Sequence, residues 1–392
     1  MKTEQVKTTR FLSEKVKEIK PSGIRKFFDL ASKMDNIVSL GVGEPDFVTP
    51  WNIREASIFS LERGFTAYSA NAGIIELRRE IATYMEQRFS VQYDPEEEII
   101  VTVGASEGID IGLRAILNDG DEVVIVEPCF VSYAPLVQLA GGVPISVGTT
   151  LSDDFKVSAS QIEAVITPKT KAIMLSFPNN PTGSTMNAAE MKGIADLAEK
   201  YDLLVFSDEI YAELSYDEDH VSFASLPRMK ERTILISGFS KAFAMTGWRL
   251  GYVLAPPELS SAMLKLHQYS LMCAPTMAQY GALEALQSGM DDVLNMKEAY
   301  KQRRNFMVKS FAEIGLTCHT PGGAFYAFPS IASTGLSSEQ FAEKLLLEER
   351  VAVVPGHVFG EGGEGHIRCS YATSMESLEK AVERIDRFLT KL

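Results

Sequence analysis

Lys241 lies in SGFSKAFAMTGWRLGY (237–252), which sets one amine and, eight positions on, the guanidinium of Arg249 among small and apolar residues. The preceding Thr233-Ile-Leu-Ile236 reads as a buried strand closed by a Ser/Gly turn. A lysine just past a buried strand is partly desolvated, which lowers its pKa and frees the amine to attack a carbonyl as a Schiff-base lysine. From this stretch alone, a strand-end lysine with a salt partner is an equal reading. Two more polar groups stand just beyond strand-like runs: Asn180 in NNPTG (179–183) and Asp208 in SDEIY (207–211). Asn180 precedes Asp208 by 28 positions and Asp208 precedes Lys241 by 33, each about one strand–helix–strand unit. The ligand crevice of an open α/β sheet lies outside the carboxyl ends of its strands. Singly, each residue is more often a turn or a cap; three at the same end of one sheet point to a site.

The residue types agree chemically. An aldehyde cofactor needs an amine, which Lys241 supplies. A pyridine ring used as an electron sink must stay protonated, which calls for a buried carboxylate such as Asp208. A phenolate oxygen on that ring needs donors, and Asn180 and Tyr211 could serve. A phosphate needs Arg249, the backbone N–H groups of 104–106 and a hydroxyl such as Ser106. Phe130, after Glu127-Pro128, can stack on a ring. GASEG (104–108) by itself is an ordinary strand-to-helix turn as much as an anion cradle. Gly41-Val-Gly43-Glu-Pro-Asp46 is a loop whose backbone can approach a ligand closely.

The elements that must position these groups alternate. Strands are expected at Ile99–Val103, Val123–Val126, Ala172–Leu175, Leu203–Phe206 and Ile234–Ile236, with helices at 109–117, 187–200 and 258–268. This is the pattern of an α/β fold with a mostly parallel central sheet flanked by helices. After about residue 290 a long charged helix (296–314), a strand-like Gly322–Tyr326, a helix at 338–348 and short strands at 351–354 and 367–370 suggest a smaller α+β domain. The expected division is 1–45 as N-terminal arm and part of the small domain, 46–290 as the large cofactor-binding domain and 291–392 as the small C-terminal domain. The charged arm of residues 1–20 is expected to pack on the small domain.

The stretch 238–251 resembles the cofactor-lysine signature of class I pyridoxal-phosphate-dependent aminotransferases, the aspartate and aromatic aminotransferase superfamily. NNPTG, SDEIY, the Tyr68…Gly73…Leu77-Arg78 segment and Arg368 follow in that family's order, and the resemblance spans roughly residues 20–390. It implies a fold-type-I architecture, pyridoxal 5′-phosphate, and a homodimer with sites at the subunit interface. It further implies that Lys241 holds the cofactor and shifts the proton, that Asp208 pairs with the ring nitrogen, and that Asn180 and Tyr211 bind the ring oxygen. Arg249, Ala105 and Ser106 would hold the phosphate, with Tyr68 reaching in from the other subunit. Arg368 would clamp the substrate carboxylate, with Gly43 close by. The chain departs from the pattern at Gly238, where many relatives carry a serine that touches the phosphate; Ser237 or Ser240 could compensate. Phe130 stands where many relatives have Trp or Tyr. Arg25 is a candidate reader of the substrate side chain, or an ordinary surface or interface arginine. The activity expected is transfer of an amino group from an L-amino acid to a 2-oxo acid by a ping-pong cycle, with a β-lyase on the same scaffold as the alternative.

Composition narrows the rest. A net charge of −14 without a basic cluster argues against a nucleic-acid or anionic-membrane surface. Four well-separated cysteines (Cys129, Cys273, Cys318, Cys369) suggest reduced thiols. With neither a signal-peptide pattern in MKTEQVKTTR nor a long apolar run, a soluble cytoplasmic protein is expected. Gly360-Glu-Gly362-Gly-Glu-Gly365 satisfies G-x-G-x-x-G literally, but a strand-like run follows it instead of a helix, so a surface loop is expected. Glu96-Glu-Glu98 reads as a solvated charge run, and His267, His319 and His357 have no metal-ligand spacing.

Overall fold

The computed structural model describes residues 8–21, 23 and 34–392. Its centre is a seven-stranded sheet of β2 (Ile99–Thr102), β3 (Glu122–Glu127), β4 (Val143–Gly148), β5 (Thr170–Ser176), β6 (Leu204–Asp208), β7 (Thr233–Gly238) and β8 (Gly251–Leu254). The spatial order is β2-β8-β7-β6-β5-β3-β4, and β8 alone runs against its neighbours. Buried on both faces, the central strands read as continuous apolar runs. Alternation still sorts their side chains. Ile173, Leu175 and Val205 pack with Met191 and Ile194 of the helix Ala188–Lys200. Ala172, Met174, Phe206, Ile234 and Ile236 pack on the opposite face with Ile109 and Leu113 of the helix Ala105–Ile116. A methyl group at Gly112 would lie 2.7 Å from the Phe206 ring, so this glycine sets how closely that helix approaches the sheet.

The C-terminal part has its own core, in which Tyr300, Phe325, Phe341 and Ile385 bring together the helices Met290–Glu313, Ser338–Glu349 and Met375–Lys391. Its strands are short. β9 (Tyr326–Ala327), β11 (Val354–Pro355) and β12 (Ile367–Ser370) form one antiparallel sheet. β1 (Val38–Ser39) pairs in parallel with β10 (Val351–Ala352), so residues 38–40 fold with the C-terminal part of the chain.

Several expectations need correction. Within the described part of the arm, the helix Glu14–Glu18 sits by the large sheet, where Lys15 pairs with Asp119 at 3.1 Å. Only Tyr326 of the run 322–326 enters a strand. Glu98 is buried and takes the Lys230 ammonium at 2.9 Å, so it is not part of a solvated charge run. Residues 360–365 form the expected surface loop, with Glu361 and Glu364 exposed, and it is tied down where Gly363 is buried against the Gly356 carbonyl and the Glu361 N–H donates to Glu127. Strands β4 and β8 and the helix Thr276–Ser288 carry no clear sequence signal. Among the described residues no helix is long and apolar enough to cross a membrane, and no group of three or more His, Cys, Asp or Glu could hold a metal.

Candidate active site

The register levels the strand ends. Ser176 of β5 lies opposite Asp208 of β6, which lies opposite Ile236 of β7. The chain beyond each end therefore opens into one crevice, a cavity of about 270 Å³. Asn180, Asp208, Tyr211 and Lys241 line it, as do Ala105, Ser106 and Phe130 beyond the ends of β2 and β3. Gly43, Arg249 and Arg368 complete it from more distant parts of the chain. Ten of the eleven residues singled out as a site thus converge. The exception is Tyr68, which is 80% exposed and does not line the cavity of its own chain. Arg25 lies outside the described residues.

Lys241 and Asp208 occupy the middle. The Lys241 ammonium donates to the Gly43 carbonyl at 2.7 Å. Burial brings its pKa down to about 8, and the neighbouring Arg368 charge acts in the same direction. Burial pushes Asp208 up to about 6, against two donors that favour its carboxylate. These are the Tyr133 hydroxyl at 2.7 Å and the Ile210 N–H at 3.2 Å.

At one end stands Arg368, buried at 3% exposure. It donates to Asn180 Oδ1 at 2.8 Å and to the Gly41 carbonyl at 2.7 Å, and its Nε has no partner among the described residues. The guanidinium is packed over the ring of Tyr326, 4.4 Å from its centroid, with Phe359 at 5.0 Å. The Tyr326 hydroxyl is 2.8 Å from that of Tyr211. A methyl group on Gly43 would meet that Tyr326 hydroxyl at 2.9 Å, which is why the 41–46 loop reaches the cavity with glycine there.

The other end is an anion cup. Gly104, at φ +76°, turns β2 into the helix Ala105–Ile116, whose first N–H groups have no intrahelical acceptor. Arg249, itself left-handed at φ +53°, is exposed and lies over this turn, so that a methyl group on Gly104 would touch its Nη2 at 2.7 Å. Gly238 plays no part here. It faces β8, where a side chain would strike the Gly251 Cα at 2.8 Å, so a hydroxyl at this position could not reach the cavity. Ser240 lines the cavity, whereas Ser237 is turned toward the Glu209 carbonyl at 3.4 Å.

Sequence reasoning missed Tyr133 and Tyr326. Tyr133 stands three residues after Phe130, at the start of the helix Tyr133–Leu139, and could have been found as a phenol near a strand end. Tyr326 sits in a run read only as strand.

Residues 35–385 match the family model for aminotransferase class I and II. The chain belongs to that family. The YugH protein of Bacillus subtilis (strain 168) is 62% identical over 383 residues, 98% of this chain and 99% of its own. The aspartate aminotransferase of Pyrococcus abyssi is 45% identical over 381 residues, 96% of this chain and 98% of its own. The crystal structure of the aromatic aminotransferase from Pyrococcus horikoshii OT3 superposes with a TM-score of 0.90 at 44% identity, covering 94% of this chain and 99% of that one. This aminotransferase therefore has the fold-type-I architecture expected from its sequence, and its relatives give the β-lyase alternative no support.

Proposed function

We propose that this aminotransferase binds pyridoxal 5′-phosphate in the cavity around Lys241 and uses it to move an amino group from an L-amino acid to a 2-oxo acid. The observation that carries this reading is a lysine with a lowered pKa and a buried carboxylate between two anion-binding ends. The residues present fit the cofactor. Gly104 leaves room for the Arg249 guanidinium beside free helix N–H groups, which suits a phosphate. Asp208, buried in the cavity lining, suits a cationic ring N–H. When bound, the cofactor supplies an aldehyde carbon and a ring that spreads negative charge developing at the substrate α-carbon.

The chain's own groups do the rest. Lys241 Nζ is basic enough near neutral pH to take a proton and acidic enough to return it. Asp208, oriented by Tyr133 and by the Ile210 N–H, holds a proton on its partner nitrogen. The amide nitrogen of Asn180 is free to donate, because its oxygen is taken by Arg368, and the Tyr211 hydroxyl is a second donor. Arg368, backed by the Tyr326 ring and already desolvated, offers its fork to the substrate carboxylate. Ser240 is the hydroxyl that lies where Gly238 offers none.

The proposal includes a second copy of the chain. The helix Trp51–Glu62 and the loop after it expose Trp51, Ile58, Phe59, Phe65 and Tyr68, an apolar surface suited to a self-interface that would carry Tyr68 into the partner's cavity. It also includes residues 46–290 as cofactor domain and 291–392, joined by the segment before 46, as small domain, for which the pairing of β1 with β10 is the support. A cytoplasmic location fits the four free thiols. Single amino acids added to the purified holoenzyme should convert bound cofactor to its pyridoxamine form. No conversion with a broad panel, aspartate and the aromatic amino acids included, would refute the proposal.

A further inference from the structure

The helix Ala105–Ile116 begins at the anion cup, yet its third residue is an acid, Glu107. A carboxylate in a first turn is drawn to the free N–H groups there, the same groups a phosphate requires. In this structure Glu107 is turned away from them. Its Oε2 accepts the N–H of Val103, behind the cup, at 2.5 Å. Its Oε1 lies 2.6 Å from Nδ1 of His267, in the last turn of the helix Pro257–Ser270. The His267 side chain is 0% exposed and its Nε2 has no partner among the described residues. A buried imidazole with one nitrogen unsatisfied costs stability that an apolar side chain would not. Among the described residues its polar contact is the one to Glu107.

We propose that His267 and Glu107 are positioning residues that hold the cup open for a phosphate: His267 anchors the carboxylate, and the carboxylate pins Val103 and keeps clear of the N–H groups of Ala105 and Ser106. The inference rests on the phosphate end assigned above. Its signature is selectivity for phosphate, which a general structural role lacks. Apoenzyme is titrated with pyridoxal 5′-phosphate and, separately, with pyridoxal, which lacks the phosphate, following the absorbance of the bound cofactor.

His267→Leu should weaken pyridoxal 5′-phosphate binding about tenfold or more, the loss of one hydrogen bond to a charged group, and change pyridoxal binding by less than about twofold. The melting temperature of the apoenzyme should stay level or rise. His267→Asn, which keeps a donor where Nδ1 stands, should restore most of the affinity. His267→Met serves in place of the leucine variant if that variant does not fold. Unchanged phosphate-dependent affinity, or equal loss for both ligands, overturns the inference. A wild-type enzyme that binds pyridoxal 5′-phosphate no tighter than pyridoxal overturns the cup assignment itself, and the two failures are thereby distinguished.

Discussion

The two ends of the cavity each present an arginine, and the two are built in opposite ways. Arg368 is buried, held by Asn180 and the Gly41 carbonyl, and packed on Tyr326. Arg249 is exposed, donates among the described residues to the Thr246 carbonyl at 3.2 Å, and lies beside backbone N–H groups. Folding has already desolvated and oriented the first, so an incoming carboxylate meets a receptor that needs little reorganisation. The second keeps its water, and its end of the cavity works by the convergence of several weak donors. The buried end is suited to discriminate between substrates that come and go. The wetter end is suited to retain a ligand with several oxygens.

The sharpest test of this contrast is Arg368→Leu, which should lower kcat/KM by about 100-fold or more while bound cofactor retains its absorbance. Loss of cofactor in this variant would erase the distinction between the ends. Arg249→Gln should weaken cofactor binding about tenfold and leave the KM for the amino donor within about twofold. Because Arg249 is exposed, its contribution should also shrink with added salt, whereas that of Arg368 should not. Cofactor titration of the wild type and the Arg249 variant, and kcat/KM of the wild type and the Arg368 variant, each at low and high ionic strength, read this directly.

The smallest effect concerns the groups between the ends, in the cofactor-free protein. Lys241 has a folded pKa of about 8, below its ordinary 10.5, so the folded state sheds this proton first. Its charge therefore costs stability below pH 8, and that cost is relieved as pH rises from 8 to 10.5. Asp208 is the reverse: with a folded pKa of about 6 against an ordinary 3.8, its cost appears as pH rises through that window. Lys241→Met should raise the apoenzyme melting temperature more at pH 7 than at pH 10.5, and Asp208→Asn more at pH 7.5 than at pH 4, as read by calorimetry. Equal shifts at both pH values would mean the cavity is better hydrated than its burial implies.

Much of this was legible in the chain. Asn180, Asp208 and Lys241 could be placed together because each follows a strand whose apolar run is plain, and successive parallel strands end on the same side. The ends of β2 and β3 were legible for the same reason. The antiparallel β8 was not, because Gly251–Leu254 is four residues long and its direction is set by the turn at Arg249. Glu98 was misread because an EEE run has no periodicity, and only tertiary packing brings Lys230 to it. The His267–Glu107 pair was invisible, since 160 residues separate the partners and neither helix pattern marks them as neighbours.

By itself, the sequence determined the family, the fold class and the groups able to carry amino-transfer chemistry, because residue type and strand spacing are local properties. Only the tertiary structure decided their states and their helpers. A pKa depends on which groups share the same low-dielectric cavity, and those groups come from every part of the chain. It took the folded molecule to turn Gly238 toward β8 and Ser240 toward the cavity, to put Tyr133 on Asp208, and to leave Tyr68 facing outward.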